Sequence, residues 1–216
     1  MNWTRRTLGE ICDEVGGIVQ TGPFGSQLHE SDYVSDGVPV VMPKNIIDGR
    51  VIEEGIAYIS EETAERLTRH RLIPGDIVYG RRGDIGRRAI IDDRQHGWLC
   101  GTGCLRISLG DRVLDSGYLY YYLGQAAVIR SIANQAIGAT LPNLNTSILR
   151  NIRVLYPPLD IQRKIAAALA AYDALIDNNL RRNRVLGNIR EMLLPKLFDA
   201  DSDIIAAWNE VSTNGK

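Results

Sequence analysis

From Ile161 to Leu194 the chain contains no proline and a single glycine, Gly187, and this run follows directly on Pro157 and Pro158. Prolines cannot extend a helix backwards, and Asp160 offers a side-chain oxygen for a helix N-cap, so the pattern predicts a helix restarting at residue 159. Ile165, Leu169, Tyr172, Ile176, Leu180, Leu186, Ile189 and Leu193 recur at spacings near three and four, with Arg163, Lys164, Asp173, Asp177, Arg181, Arg182 and Arg184 between them. At ~1.5 Å per residue such a run makes a rod of about 50 Å. That is too long for the core of a 216-residue chain, so its apolar stripe is expected to lie against another long helix. Asn179 and Asn183 fall on or beside the stripe; they either fix the register of a helix pair or face water. Pro195 is expected to end or kink the rod. The expected spacer helix covers 159–198, and a short polar tail covers 199–216.

Residues 1–158 have another texture. Short apolar, β-branched runs, "VPVVM" (38–42), "GIAYIS" (55–60), "GDIVYG" (75–80), "RRAIIDD" (87–93) and "CLRISL" (104–109), are separated by Gly, Asp and Pro and read as strands. Two helices are expected among them. One starts at Ser60 with Glu61 and Glu62 in its first turn, and the other spans 115–136 behind Asp115 or Ser116. The strands and helices do not alternate regularly, which excludes a doubly wound sheet. The fold class is therefore α+β: a mixed β-sheet domain followed by a long C-terminal helix of coiled-coil-forming type.

Composition narrows the function classes. No apolar run approaches a membrane span and "MNWTRRTLGE" has no signal-peptide core, so a cytoplasmic location is expected. Cys12, Cys100 and Cys104 are too few for a disulfide framework, and with His29, His70 and His96 isolated no metal site is expected. Net charge is −1, so global electrostatics announces no polyanionic partner. Among the 25 basic residues only Lys44, Lys164, Lys196 and Lys216 are lysines. Arginine suits phosphate and guanine edges, although a genome rich in arginine codons explains the bias equally well.

Three stretches carry candidate sites. In "GDIVYGRRGDIGRRAII" (75–91) strand signals flank "GRRGDIG", gathering Arg81, Arg82, Arg87 and Arg88 on a hairpin-like connection. Clustered guanidinium groups need anions nearby: Asp84, Asp92 and Asp93 of this chain, or a nucleic-acid backbone. "GATLPNLN" (138–145) places Thr140, Asn143 and Asn145 on a loop; Asn reads adenine, and it also forms turns. "QTGPFGSQL" (20–28) lacks the Lys-Ser/Thr ending of a phosphate loop and reads as a turn anchored by a buried Phe24. No serine-hydrolase elbow, zinc-protease motif, dinucleotide fingerprint or methyltransferase motif is present, so no catalytic residue is expected.

Read in order, the blocks resemble one half of the DNA-specificity subunit of a type I restriction–modification system. "GPFGSQLHESDYVSDGVPVVMPKNI" resembles the entry of a target-recognition domain, and "LIPGDIVYGRRGDIGRRAII" its Gly-Asp-Ile strand and glycine hairpin. "GATLPNLNTSILRNIRVLYPPLDIQRKIAAAL" resembles the domain's end and the start of the conserved helix, and "LLPKLF" resembles the closing pattern. The resemblance implies a non-catalytic subunit that reads one half of a split site in double-stranded DNA. It also implies methyltransferase subunits, which bind S-adenosylmethionine and modify adenine, and a restriction motor–nuclease subunit as partners; no cofactor is implied for this chain.

Family members usually carry two recognition domains and two antiparallel helices, whereas this chain has one of each. A complete protein of this form would pair with a second copy through residues 161–194 and read a palindromic split target; a fragment would find its partner helix in the missing half. On this reading Lys44, Asn45, Arg81, Arg82, Arg87 and Arg88 are the leading DNA-facing candidates, followed by Thr140, Asn143 and Asn145. The alternative is a truncated interaction subunit that occupies methyltransferase partners without reading DNA.

Overall fold

The computed structural model describes residues 2–81, 85–110, 112–136 and 144–198. The chain opens with strand β1 (Thr4–Thr7) and helix α1 (Leu8–Val15). Thr7 accepts from the backbone of Glu10 while Glu10 accepts from the backbone of Thr7, a reciprocal cap that fixes where α1 starts. Strands β2 (Ile18–Thr21), β3 (Tyr33–Val34), β4 (Val38–Val41), β5 (Ile46–Ile47), β6 (Arg50–Val51) and β7 (Ala57–Ile59) follow. Helix α2 (Glu61–Arg66) starts at the Ser60 cap that the sequence predicts, its hydroxyl accepting from Thr63 N. Then come β8 (Ile77–Gly80), β9 (Arg88–Ile90), β10 (Leu99–Cys100) and β11 (Cys104–Ser108).

The helix expected over 115–136 is two helices, α3 (Ser116–Leu123) and α4 (Ala126–Ala136), capped by Asp115 and divided at Gly124. A short helix, α5 (Thr146–Arg150), precedes β12 (Arg153–Tyr156) where the sequence suggests only loop and strand. Asn145 caps this helix, accepting from Ile148 N at 2.9 Å.

Among the described residues the strands form two four-stranded sheets and two smaller pairs. One sheet, ordered β2-β11-β8-β9, is antiparallel throughout; the other, β10-β4-β7-β3, is mixed because β10 runs parallel to β4. β1 pairs with β12, bringing the start of the domain to its end. Strands β8 and β11 are buried on both faces, and the two-residue alternation divides their side chains between two cores. Ile77, Tyr79, Leu105 and Ile107 pack with α1, α3 and α5, whereas Val78 and Cys104 pack with Val41, Cys100 and Ile91. A third cluster, including Val40, Ile59 and Leu67, joins α2 to the mixed sheet. One polar constellation crosses this interior: Arg106 Nε donates to Asp76 at 2.5 Å, and Arg106 Nη1 donates to the Arg69 carbonyl at 3.1 Å.

Backbone contacts divide the chain into one unit ending at Ala167 and a second beginning at Ala168. Helix α6 (Leu159–Phe198) starts in the first unit. Its first turn differs from expectation. The Pro158 carbonyl accepts from Ile161 N and Gln162 N, so Asp160 lies inside the first turn and is not the N-cap. There its carboxylate still favours the positive end of the helix dipole. Ile165 and Ala166 pack on the first unit's core, and Gly117 of α3 provides the clearance: a Cβ there would stand 3.2 Å from that of Ala166. In the second unit α6 continues as helix through Pro195 to Phe198, so the proline does not end it. Leu169, Tyr172, Ile176, Leu180, Leu186, Ile189 and Leu193 are all exposed in the single chain.

Candidate nucleic-acid interface

The β8–β9 pair is the hairpin expected around "GRRGDIG", with Ile77 opposite Ile90 and Tyr79 opposite Arg88. Arg81 continues β8 by one residue, donating its backbone N–H to the Gly103 carbonyl at 2.8 Å. Two further bonds hold it to residue 144: Leu144 N donates to the Arg81 carbonyl at 3.0 Å, and Arg81 Nε donates to the Leu144 carbonyl at 2.9 Å. Its guanidinium is thereby fixed over the ring of Phe24, 5.6 Å from the centroid.

The structure corrects the expectation for Phe24. The ring is 51% exposed, not a buried anchor. The loop is instead held by its backbone. The Phe24 carbonyl accepts from Gln27 N and Leu28 N, Phe24 N donates to Gln27 Oε1, and Thr102 Oγ1 donates to the Pro23 carbonyl at 2.9 Å. Gly22 meets the chain at Gly101 so closely that a Cβ would lie 2.0 Å from the Gly101 oxygen. Gly22 serves this close packing of backbone on backbone, and the aromatic ring of Phe24 stays outside.

Arg87 donates from Nη1 to the Pro43 carbonyl at 3.2 Å, which brings the 3-10 turn Pro43–Asn45 beside the hairpin. Lys44 on that turn is exposed. Asn45 is not: it is fully buried, its Oδ1 accepts from Met42 N at 3.1 Å, and its Nδ2 donates to the Glu54 carbonyl. Its amide holds the turn in shape, correcting its place among the DNA-facing candidates. Arg88 is also engaged within the domain. Nε donates to the Tyr120 carbonyl at 2.8 Å, Nη1 to Gly86, and the guanidinium lies 4.7 Å from the Tyr120 centroid. Asn145 is occupied as a helix cap. Arg82, Thr140 and Asn143 lie outside the described residues, as does Asp84; Asp92 pairs with Arg94 at 2.7 Å.

Arg81, Arg87, Lys44 and Phe24 thus gather at one end of the sheets, tied through the 101–103 turn and the Pro43 turn. Such a surface offers fixed cations and one exposed aromatic to a polyanion. Among the described residues no group of three His, Cys, Asp or Glu side chains could hold a metal ion, and no helix is long and apolar enough to cross a membrane. Sequence reasoning missed Phe24 as a surface residue, because an apolar ring between Pro23 and Gly25 carries no local sign of exposure.

Residues 1–187 match the family model described as type I restriction modification DNA specificity domain. The type I restriction enzyme MjaIX specificity subunit of Methanocaldococcus jannaschii is 25% identical over 199 residues, covering 91% of this chain and 44% of that protein. A solved structure concerned with complex assembly and conformational transition of the type I R-M system shares the fold with a TM-score of 0.63 at 20% identity, covering 92% of this chain and 46% of the other. The S subunit of the type I restriction–modification system from M. genitalium gives a TM-score of 0.59 at 20% identity, covering all of this chain and 51% of its own. The chain spans about half the length of the curated relatives it matches. A family match over most of the chain, on a fold shared with two such structures, leaves one conclusion: this chain belongs to the type I restriction modification DNA specificity domain family.

Proposed function

We propose that this chain is a non-catalytic DNA-specificity subunit that reads one half of a bipartite site in double-stranded DNA. The observation that carries the reading is the gathering of Lys44, Arg81 and Arg87 at one end of the sheets, beside an exposed aromatic, in a chain whose net charge is only −1. Local concentration of cations, not global charge, suits a phosphate backbone. Arg82, Thr140 and Asn143 remain candidates, whereas Asn45, Arg88 and Asn145 are engaged within the domain. Phosphate contacts position such a module and base contacts specify its target.

On the same reading, methyltransferase subunits that modify adenine dock on the chain and carry the catalysis, with S-adenosylmethionine bound to them, and a restriction motor–nuclease joins for cleavage. The exposed stripe of α6 supports pairing of two copies through that helix, which turns one recognition domain into a reader of two half-sites. The assembly works in the cytoplasm, where the DNA is. The carrying experiment measures DNA binding by the complex with methyltransferase subunits across a salt series. Lys44→Ala with Arg87→Ala should weaken binding to target and scrambled duplexes alike, and should reduce the salt slope by about one for each phosphate left unneutralised. An unchanged affinity and slope would remove these residues from the interface. Intact partner binding with no sequence preference in the wild type would favour a subunit that occupies partners without reading DNA.

A further inference from the structure

Phe24 has no role in the core, and among the exposed large apolar side chains of the first unit it is the most open of those described, at 51% against 48% for Trp3. A half-exposed phenyl ring forgoes burial worth about 1–2 kcal/mol, so its position calls for a reason. The loop that carries it is rigid by its own bonds: Phe24 uses both its backbone N–H and carbonyl, Pro23 is held by Thr102, and Gly22 is pressed against Gly101. Arg81 lies over the ring and is itself held by Leu144. One side of the ring therefore faces a cation, and the exposed remainder is presented from a loop fixed by its backbone bonds. A pre-organised aromatic loses little entropy when it engages a ligand.

The neighbours choose the ligand. The Thr102–Gly103 turn that holds Pro23 also accepts Arg81 N, and it packs towards Pro43 of the Lys44 turn, whose carbonyl binds Arg87. An apolar protein surface gains nothing from that collar of cations. A base edge in the major groove gains from both, since the thymine methyl offers an apolar contact and charged phosphates line the groove on either side. We propose that Phe24 is a base-contacting residue, its ring meeting the exposed apolar edge of one nucleobase of the half-site while Arg81 lies over the ring. This rests on the DNA-recognition reading and assigns one specificity contact within it.

The test uses the complex of the full chain with its methyltransferase subunits and a duplex carrying the bipartite site mapped from methylated adenines in genomic DNA. A scrambled duplex is the control. Phe24→Ala should weaken binding to the target by roughly tenfold and leave the salt slope unchanged, because a phenyl ring releases no counterions. Phe24→Trp should retain target binding within a few-fold, and its added indole emission should be quenched by the target duplex more than by the scrambled one. An abasic nucleotide walked through the half-site should abolish the difference between wild type and Phe24→Ala at one position. Target affinity of Phe24→Ala within twofold of wild type overturns the proposal, as does a difference that persists at every abasic position. Should Phe24→Ala fail to fold, equal quenching of Phe24→Trp by both duplexes overturns it. If the wild-type complex itself shows no preference for the target, the DNA-recognition reading falls, and that result is distinct from failure of the Phe24 contact alone.

Discussion

The side-chain amide of Gln162, in the first turn of α6, accepts from the backbone N–H of Asp115 at 2.8 Å, and Asp115 in turn caps α3. The same amide donates from Nε2 to the carbonyls of Val113 and Pro157 at 3.0 and 2.8 Å. Gln162 is fully buried, so three backbone groups depend on one side chain. That relationship fixes the first turn of the long helix to the domain at the point where the chain leaves it. The Gln-Arg-x-Ile opening of the helix thus has a mechanical reason: the glutamine ties the first turn to the domain, and Ile165 packs against its core.

Gln162→Leu should therefore destabilise the protein by about 2–4 kcal/mol, because it leaves one donor and two acceptors buried without partners. Urea unfolding at neutral pH measures the loss. A loss below about 0.5 kcal/mol would mean that water enters and replaces the amide.

The Asp76–Arg106 pair, 2.5 Å apart and with both side chains buried, bridges β8's entry and β11. Removing one partner strands a buried charge. Asp76→Leu and Arg106→Met should each cost about 3–5 kcal/mol, while the two combined should cost much less than the sum. Denaturant midpoints of the four proteins check this. Additive losses would contradict a direct coupling between the two groups.

His70 is buried beside this pair, and its Nε2 accepts from Arg69 Nε at 2.9 Å, which requires the neutral ring. Burial first, and then the charges of Arg69 and Arg106, push its pKa down to about 4. The unfolded chain, with an ordinary imidazole near ~6.5, binds the extra proton first as pH falls. Stability from this residue is thus fully present above about pH 6.5 and declines towards about pH 4, by an upper bound of about 3 kcal/mol. His70→Gln should flatten the stability curve within that window. An identical slope in the variant would show that other groups carry the acid sensitivity.

Much of the architecture was legible because strand and helix periods differ. The Ser60 cap, the Gly-flanked hairpin and the long helix stand in the sequence as local signals. The break between α3 and α4 was hidden because Leu119, Tyr122, Leu123, Ala126 and Ile129 keep an apolar spacing across Gly124. The helix runs through Pro195, where a proline is expected to end or kink it. The interface was legible as a cluster and illegible in detail. Arg88 and Asn45 look like surface readers in a linear reading, yet Tyr120, 32 residues on, engages Arg88, and the local turn at Met42 and Glu54 buries Asn45. Phe24 misled in the opposite direction, because the sequence around it gives no indication that Gly22 is needed for a backbone approach to Gly101 and not to bury the ring.

The three thiols illustrate burial acting on chemistry. Burial raises Cys12 to about 11 and Cys100 to about 12, and it holds Cys104 well above the ordinary range, with Cys100 adding to the effect. A thiol without a thiolate is a poor nucleophile. In the native protein at about pH 8 none of the three should react with a disulfide reagent within minutes, and all three should react in denaturant. Rapid labelling of one native thiol would indicate an opening of the core around it.

The stripe of α6 gives the last expectation. Leu169, Tyr172, Ile176, Leu180, Leu186, Ile189 and Leu193 are between 39% and 66% exposed in the single chain, and an apolar seam of seven large side chains in water favours a second helix against it. Asn179 and Asn183 lie between Ile176 and Leu186 at the spacing of that seam, where paired amides would set the register of two copies. Sedimentation should accordingly find the wild-type chain as a dimer at micromolar concentration, and Leu169→Glu with Ile176→Glu should convert it to a monomer whose far-UV dichroism still shows a folded domain. A wild-type monomer would refute self-pairing and assign the seam to a helix of another chain. A dimer that survives both substitutions would place the contact elsewhere than on this stripe.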